Sequence, residues 1–124
     1  MNLKAYFESN KGIGVLSTAD HNGKVDSALY ARPHVMEDGS LLFIMRDRLT
    51  HANLQSNPHA AYLFVEEGKG YKGKRFFLTK TGEEINEELA SQLSRRNTPD
   101  KTEETRFIAV FRIDQELPLT GSEG

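Results

Sequence analysis

The sequence predicts a mainly β domain: a six-stranded antiparallel barrel flanked by short helices. Three observations carry this. Six short runs are rich in β-branched and aromatic residues, the connections between them are mostly of hairpin length, and only one long crossover interrupts them. A chain of 124 residues is read as one domain, 1–124, long enough to bury a modest core.

Leu3, Tyr6 and Phe7 fall at i, i+3 and i+4 and predict a short opening helix, stopped by Asn10 and Gly12. IGVLSTAD and VDSALYARPHVM follow as two strands of a hairpin, because Asn22-Gly23 tolerates the positive φ of a tight turn. Glu37-Asp38-Gly39-Ser40 leads into a third strand, LLFIM, so residues 13–46 are expected to form an antiparallel meander. LTHANLQSN, 49–57, loses the β bias and predicts two turns of helix, ended at Asn57-Pro58 because proline disfavours helical geometry before it.

AAYLFVE is the fourth strand, the glycine-rich GKGYKGK at 68–74 a mobile loop, and RFFLTKT the fifth strand. Thr81-Gly82-Glu83-Glu84 has capping-box spacing, and Ile85, Leu89 and Leu93 add an apolar stripe, predicting a helix to about Arg96. Residues 97–105 are polar loop, RFIAVFRID is the sixth strand, and 113–124 reads as a loose tail.

With 37% hydrophobic and 27% charged residues and a net charge of -2, the chain has no global bias toward nucleic acid or anionic membrane. Any anion site must be local. The absence of cysteine excludes disulfides and thiolate chemistry, and suits a reducing compartment. The N-terminus has no apolar leader segment and no run of 18 apolar residues occurs, so a cytoplasmic protein without a membrane partner is expected.

Positive charge concentrates in MRDRLTHANLQSNPHA, 45–60. There Arg46, Arg48 and His51 surround Thr50 where a strand gives way to a helix, and a helix start turns unpaired N–H groups and a positive dipole end toward what precedes it. Such a corner can hold a phosphate. The alternative is structural, with Thr50 as N-cap and the arginines as solvated partners of Asp47. If the meander folds back, Arg32 joins Arg46 at the same helix end. Pro33 cannot donate to a ladder, which marks an edge or bulge beside Arg32 and His34.

Other chemistries find little support. His21, His34, His51 and His59 lack ligand spacing, so no metal site is expected, and no G-x-S-x-G elbow accompanies any serine. KGYKGKRFF interleaves Lys69, Lys72, Lys74 and Arg75 with Tyr71, Phe76 and Phe77, as stacking on single strands requires. Its departure from the RNP1 pattern and the net charge of -2 disfavour nucleic acid.

Over most of residues 3–113 the chain resembles the pyridoxamine 5'-phosphate oxidase-like, FMN-binding split-barrel proteins. The resemblance lies in GVLST at 14–18, the hairpin glycine at 23, ARPHV at 31–35 and above all LLFIMRDRLTHANLQSNP at 41–58. It implies a Greek-key split barrel, FMN as cofactor, and a homodimer with the flavin at the subunit interface. Arg32, Thr50 and His51, with Arg46 and Arg48 nearby, would hold the phosphate. Arg32, Pro33, His34, Ile44, Met45 and Arg46 would flank the ring, and Lys74 or Arg75 would come from the second chain.

Two departures matter. His51 and Thr50 stand where the vitamin B6 oxidase has lysine and arginine. The arginine- and tryptophan-rich C-terminus that holds its substrate is replaced by LPLTGSEG, in a chain with no tryptophan. The implied function is that of a flavin-dependent oxidoreductase or electron carrier, distinct from the vitamin oxidase and acting with a small-molecule redox substrate or electron donor. No catalytic side chain is assigned. The alternatives are a non-enzymatic module holding flavin, deazaflavin or haem, and a single-strand nucleic-acid barrel.

Overall fold

The structure is a computed structural model that describes residues 2–94 and 105–121. Its elements are α1 (Leu3–Ser9), β1 (Gly12–Ala19), β2 (Val25–Leu29), β3 (His34–Val35), β4 (Leu41–Arg46), α2 (Leu49–Ser56), β5 (His59–Glu66), β6 (Gly73–Ile85), α3 (Glu87–Leu93) and β7 (Arg106–Pro118). The seven strands form one antiparallel sheet in the order β2-β1-β5-β6-β7-β4-β3. β5, β6, β7 and β4 make a Greek key, with α2 as the crossover. The sheet curls round a core without closing, since β2 and β3 are both edges.

Several expectations are corrected. Among the described residues there are seven strands where six were expected, because VDSALYARPHVM is two strands at opposite edges, joined by residues 30–33. Pro33 lies in that break, with its side chain fully buried. Residues 13–46 are therefore two hairpins, β1–β2 and β3–β4, and no continuous meander. The helix expected from Thr81 starts only at Glu87: Asn86 is its cap, and Gly82, Glu83, Glu84 and Ile85 pair with β7 instead. The loose tail is strand as far as Pro118, which pairs with Lys74. The expected helix end at Arg96 and the loop 97–104 lie outside the described residues.

The turns follow their local chemistry. Gly23 has φ 84° and Gly39 φ 88°, and the main chain closes with Asp20 N–H to Lys24 O at 3.0 Å and Met36 N–H to Ser40 O at 2.9 Å. One core gathers Tyr6, Phe7, Leu16, Phe43, Tyr62, Phe64, Phe76 and Phe111 inside the curl. α1 plugs it: Asn2 Oδ1 caps the helix, and the Phe7 ring meets Phe64 edge-on at 5.4 Å. A smaller cluster, Leu42, Ala90 and Ile108, lies under α3 on the outer face. β4 is thus covered on both sides, which is why LLFIM reads as an unbroken apolar run.

Gly14 permits a close approach at the break. A Cβ there would overlap the Tyr62 hydroxyl and the Tyr30 carbonyl. That hydroxyl donates to Tyr30 O at 3.1 Å and to Ala31 O at 3.3 Å, pinning the chain where it leaves one edge for the other. No helix among the described residues is long and apolar enough to cross a membrane.

Candidate functional site

The split in the sheet is a cleft of about 440 Å³, within the size range of small-molecule sites. One side is the end of β2 with Asp26, Ala28 and Leu29, continued by the connector Tyr30, Ala31 and Arg32. Facing it are Leu42, Phe43, Ile44 and Arg46 of β4, and the opening turn of α2, Arg48, Leu49 and Thr50. His34, Leu93, Ser94 and Arg106 complete the lining. In a chain of net charge -2, the described residues of the lining hold four guanidiniums against one carboxylate, Asp26. Apolar walls lie beside them.

Each cation has a definite setting. Arg32 Nη1 donates to Phe7 O at 2.6 Å and Asn10 O at 2.9 Å, so the same side chain caps the end of α1 and lines the cleft. Arg46 stands directly opposite Arg106 in the β4–β7 ladder, a like-charge pairing that costs energy unless an anion intervenes. Glu87 is that anion, with Oε2 2.8 Å from Arg106 Nη2. Its carboxyl is held below the ordinary range, chiefly by the hydrogen bond from Arg106 and further by the Arg46 charge. His34 Nε2 donates to Leu93 O at 2.6 Å, which fixes the proton on that nitrogen.

α2 opens without a side-chain cap: Arg48 occupies the cap position, and Thr50 lies inside the helix. Buried Thr50 hydrogen-bonds the Tyr30 hydroxyl. Burial raises the Tyr30 pKa, an effect that the Thr50 bond and the Arg48 charge oppose and the Asp26 charge reinforces.

Of the residues expected at the site, the structure brings Arg32, His34, Ile44, Arg46, Arg48 and Thr50 into this one cleft. The others are elsewhere in the chain. Pro33 and Met45 are buried behind its wall. His51 is buried on another side of α2, with Nδ1 3.0 Å from Asp47 Oδ1, Nε2 2.9 Å from Glu83 Oε2, and its ring stacked on Phe107 at 3.9 Å. Lys80 and Gln55 also bond Glu83. Burial works against ionisation at Glu83, yet the hydrogen bonds from Lys80, His51 and Gln55 outweigh it and bring the carboxyl to about 2. Lys74 pairs with Glu116 at 2.8 Å, and Arg75 donates to the carbonyls of Pro118 and Gly121; neither lines the cleft.

In the basic loop Tyr71 is 87% exposed, but Phe76 belongs to the core and only Phe77 faces outward, so the aromatics of KGYKGKRFF share no single platform. Arg106, Asp26, Leu93 and Ser94 line the cleft without any local sequence signal that places them there. Arg106 could be found only by knowing that β7 pairs with β4, which no local pattern reveals.

The sequence matches no family model and no curated protein. Solved structures do share the fold. An FMN-binding protein from Syntrophomonas wolfei subsp. wolfei superposes with a TM-score of 0.75 at 19% identity, covering 95% of this chain and 84% of the other. A structure described as F420 reductase gives 0.72 at 14%, covering 94% and 97%. A putative pyridoxamine 5'-phosphate oxidase from Lactobacillus delbrueckii subsp. gives 0.68 at 14%, covering 94% and 92%. At these identities the likeness is one of fold.

Proposed function

We propose that this chain, which carries the pyridoxamine 5'-phosphate oxidase-like fold, binds a flavin noncovalently in the cleft beside β2 and β4, in the form of FMN, and serves as a flavin-dependent oxidoreductase. One observation carries the reading: guanidiniums from four parts of an anionic chain converge on one apolar-walled cleft. The donor set fits the group. Arg46 and Arg48, with Thr50 beside them, suit the phosphate, while Leu29, Ile44 and Leu49 offer apolar surface to a ring. The similar structures include an FMN-binding protein and F420 reductase, which supports a flavin over other anionic ligands.

Bound there, the flavin supplies electron or hydride transfer that no side chain of this protein can perform. The protein's part is to hold, orient and shield it. That accounts for a site rich in cations and poor in acid–base pairs. His51 acts at one remove, since its bonds to Asp47 and Glu83 tie the start of α2 to β6.

A homodimer belongs to the same reading. Ile13, Val25 and Leu29 are 62%, 77% and 75% exposed, and with Phe77 they stand on one outward face of β1, β2 and β6. This face runs into the cleft through Leu29. A second copy seated on it would cover the apolar strip and wall the cleft, and could bring in Lys74 or Arg75. The cysteine-free chain suits the cytoplasm for such a role.

The test is a visible spectrum of the purified protein, mass identification of what heat releases, and a fluorescence titration with FMN. Flavin absorbance and micromolar or tighter FMN binding support the reading. A colourless protein that FMN does not bind refutes it, and a Soret band reassigns the cleft to haem.

A further inference from the structure

α3 lies beside the same cleft, and residues that line the cleft hold both of its ends. At its first turn Glu87 Oε2 accepts from Arg106 Nε at 3.1 Å and Nη2 at 2.8 Å, and Oε1 accepts from the Arg106 main-chain N–H at 3.2 Å. Arg106 Nη2 also donates to Ser91 Oγ at 2.7 Å. At its last residue, Leu93 O accepts from His34 at 2.6 Å. The apolar footing is slight by comparison: Ala90 is the helix's buried residue, and Leu89 and Leu93 are partly covered. Polar tethers therefore do much of the work of keeping α3 in place. The principal tether uses Arg106, which is also a residue of the cleft lining.

We infer that α3 is a strap which a bound anion loosens: Glu87 is an internal counter-ion for Arg106, and an anionic ligand group entering the cleft competes for that guanidinium. The inference rests on reading the cleft as an anionic ligand site. Carboxylate and phosphate are alternative partners for the same guanidinium fork, both accepting its paired N–H groups. Arg106 holds the Glu87 carboxyl below its ordinary range, and the Arg46 charge reaches the same carboxylate. A phosphate that takes up these cations removes the attraction that fixes the first turn. His34 and the Ala90 contact remain, so α3 loosens at its N-terminal end while the barrel stays folded. By linkage, ligand affinity and the closure of α3 oppose each other to the same degree.

The experiment titrates FMN and riboflavin, which lacks the phosphate, into the wild type and Glu87→Gln, and follows amide exchange of residues 87–93. FMN should bind the variant roughly three- to ten-fold more tightly, the scale of one screened ion pair, with riboflavin affinity unchanged. In the wild type, FMN should speed exchange in α3. Equal or weaker FMN binding by the variant, or slower α3 exchange on FMN binding, overturns the strap. Should the variant misfold, exchange in the wild type decides alone. If the wild type binds neither flavin, the flavin reading fails by itself; exchange is then followed with pyrophosphate, and an α3 that does not respond overturns the strap as well.

Discussion

α1 and α3 are both seven residues long, and each is capped by an asparagine side chain, yet they are held by opposite means. α1 sinks Tyr6 and Phe7 into the main core, where Phe7 meets Tyr62, Phe64 and Phe76. α3 buries one alanine and relies on Arg106 and His34. Local helix chemistry does not distinguish them; the partner surface does. Elements that must respond to a ligand come from the weakly held end of a structure, and α3 is the one beside the cleft.

Phe7→Ala breaks this comparison most directly. It should cost about 3–5 kcal/mol in urea unfolding, because the ring is fully buried and its cavity cannot collapse. A loss below about 1 kcal/mol would mean that α1 is as loosely held as α3. Arg32→Ala sharpens it, since this side chain serves both regions. It should weaken FMN binding by about 1–3 kcal/mol and also destabilise the apo protein, the two effects being separated by titration and by unfolding without ligand.

An intermediate effect is expected at Glu83, away from both helices. Its folded-state pKa lies near 2, below the ordinary value of 4.5, so its contribution is complete above about pH 4.5 and disappears as the pH falls toward 2. The wild type should lose on the order of 1–2 kcal/mol across that window through this group, a loss that Glu83→Gln removes from the stability–pH curve. The smallest change is Leu89→Ala, at most about 1 kcal/mol because the side chain is only partly covered. Thermal denaturation showing a loss comparable to Phe7→Ala would put α3 in the core.

Much of this was legible where chemistry is local. The apolar spacing of Leu3, Tyr6 and Phe7, the glycines at 23 and 39, and Asn57-Pro58 each marked an element or turn found in the structure. What failed needed tertiary information. Thr81 to Glu84 has the spacing of a helix start, but a ladder to β7 overrides it. Leu117 and Pro118 looked like tail only because their partners, Arg75 and Lys74, lie some forty residues earlier. Pro33 did signal an interruption, yet not that the chain crosses to the other edge there.

At the site, charge clustering singled out Arg46, Arg48 and Thr50, and all three line the cleft. The placing of His51 was not readable, because which side of α2 it occupies depends on Glu83 and Phe107, both remote in sequence. Arg106 required the ladder register.

The crossing at 30–33 fixes one more property. A span from Leu29 to His34 reaches at most roughly 17 Å when fully extended, and it is already fastened midway by the Tyr62 hydroxyl. The two free margins of the sheet are therefore hinged by a cord of set length, like jaws with a stop. Those margins can part there by no more than that length, and a connector longer or shorter by one residue would change the limit.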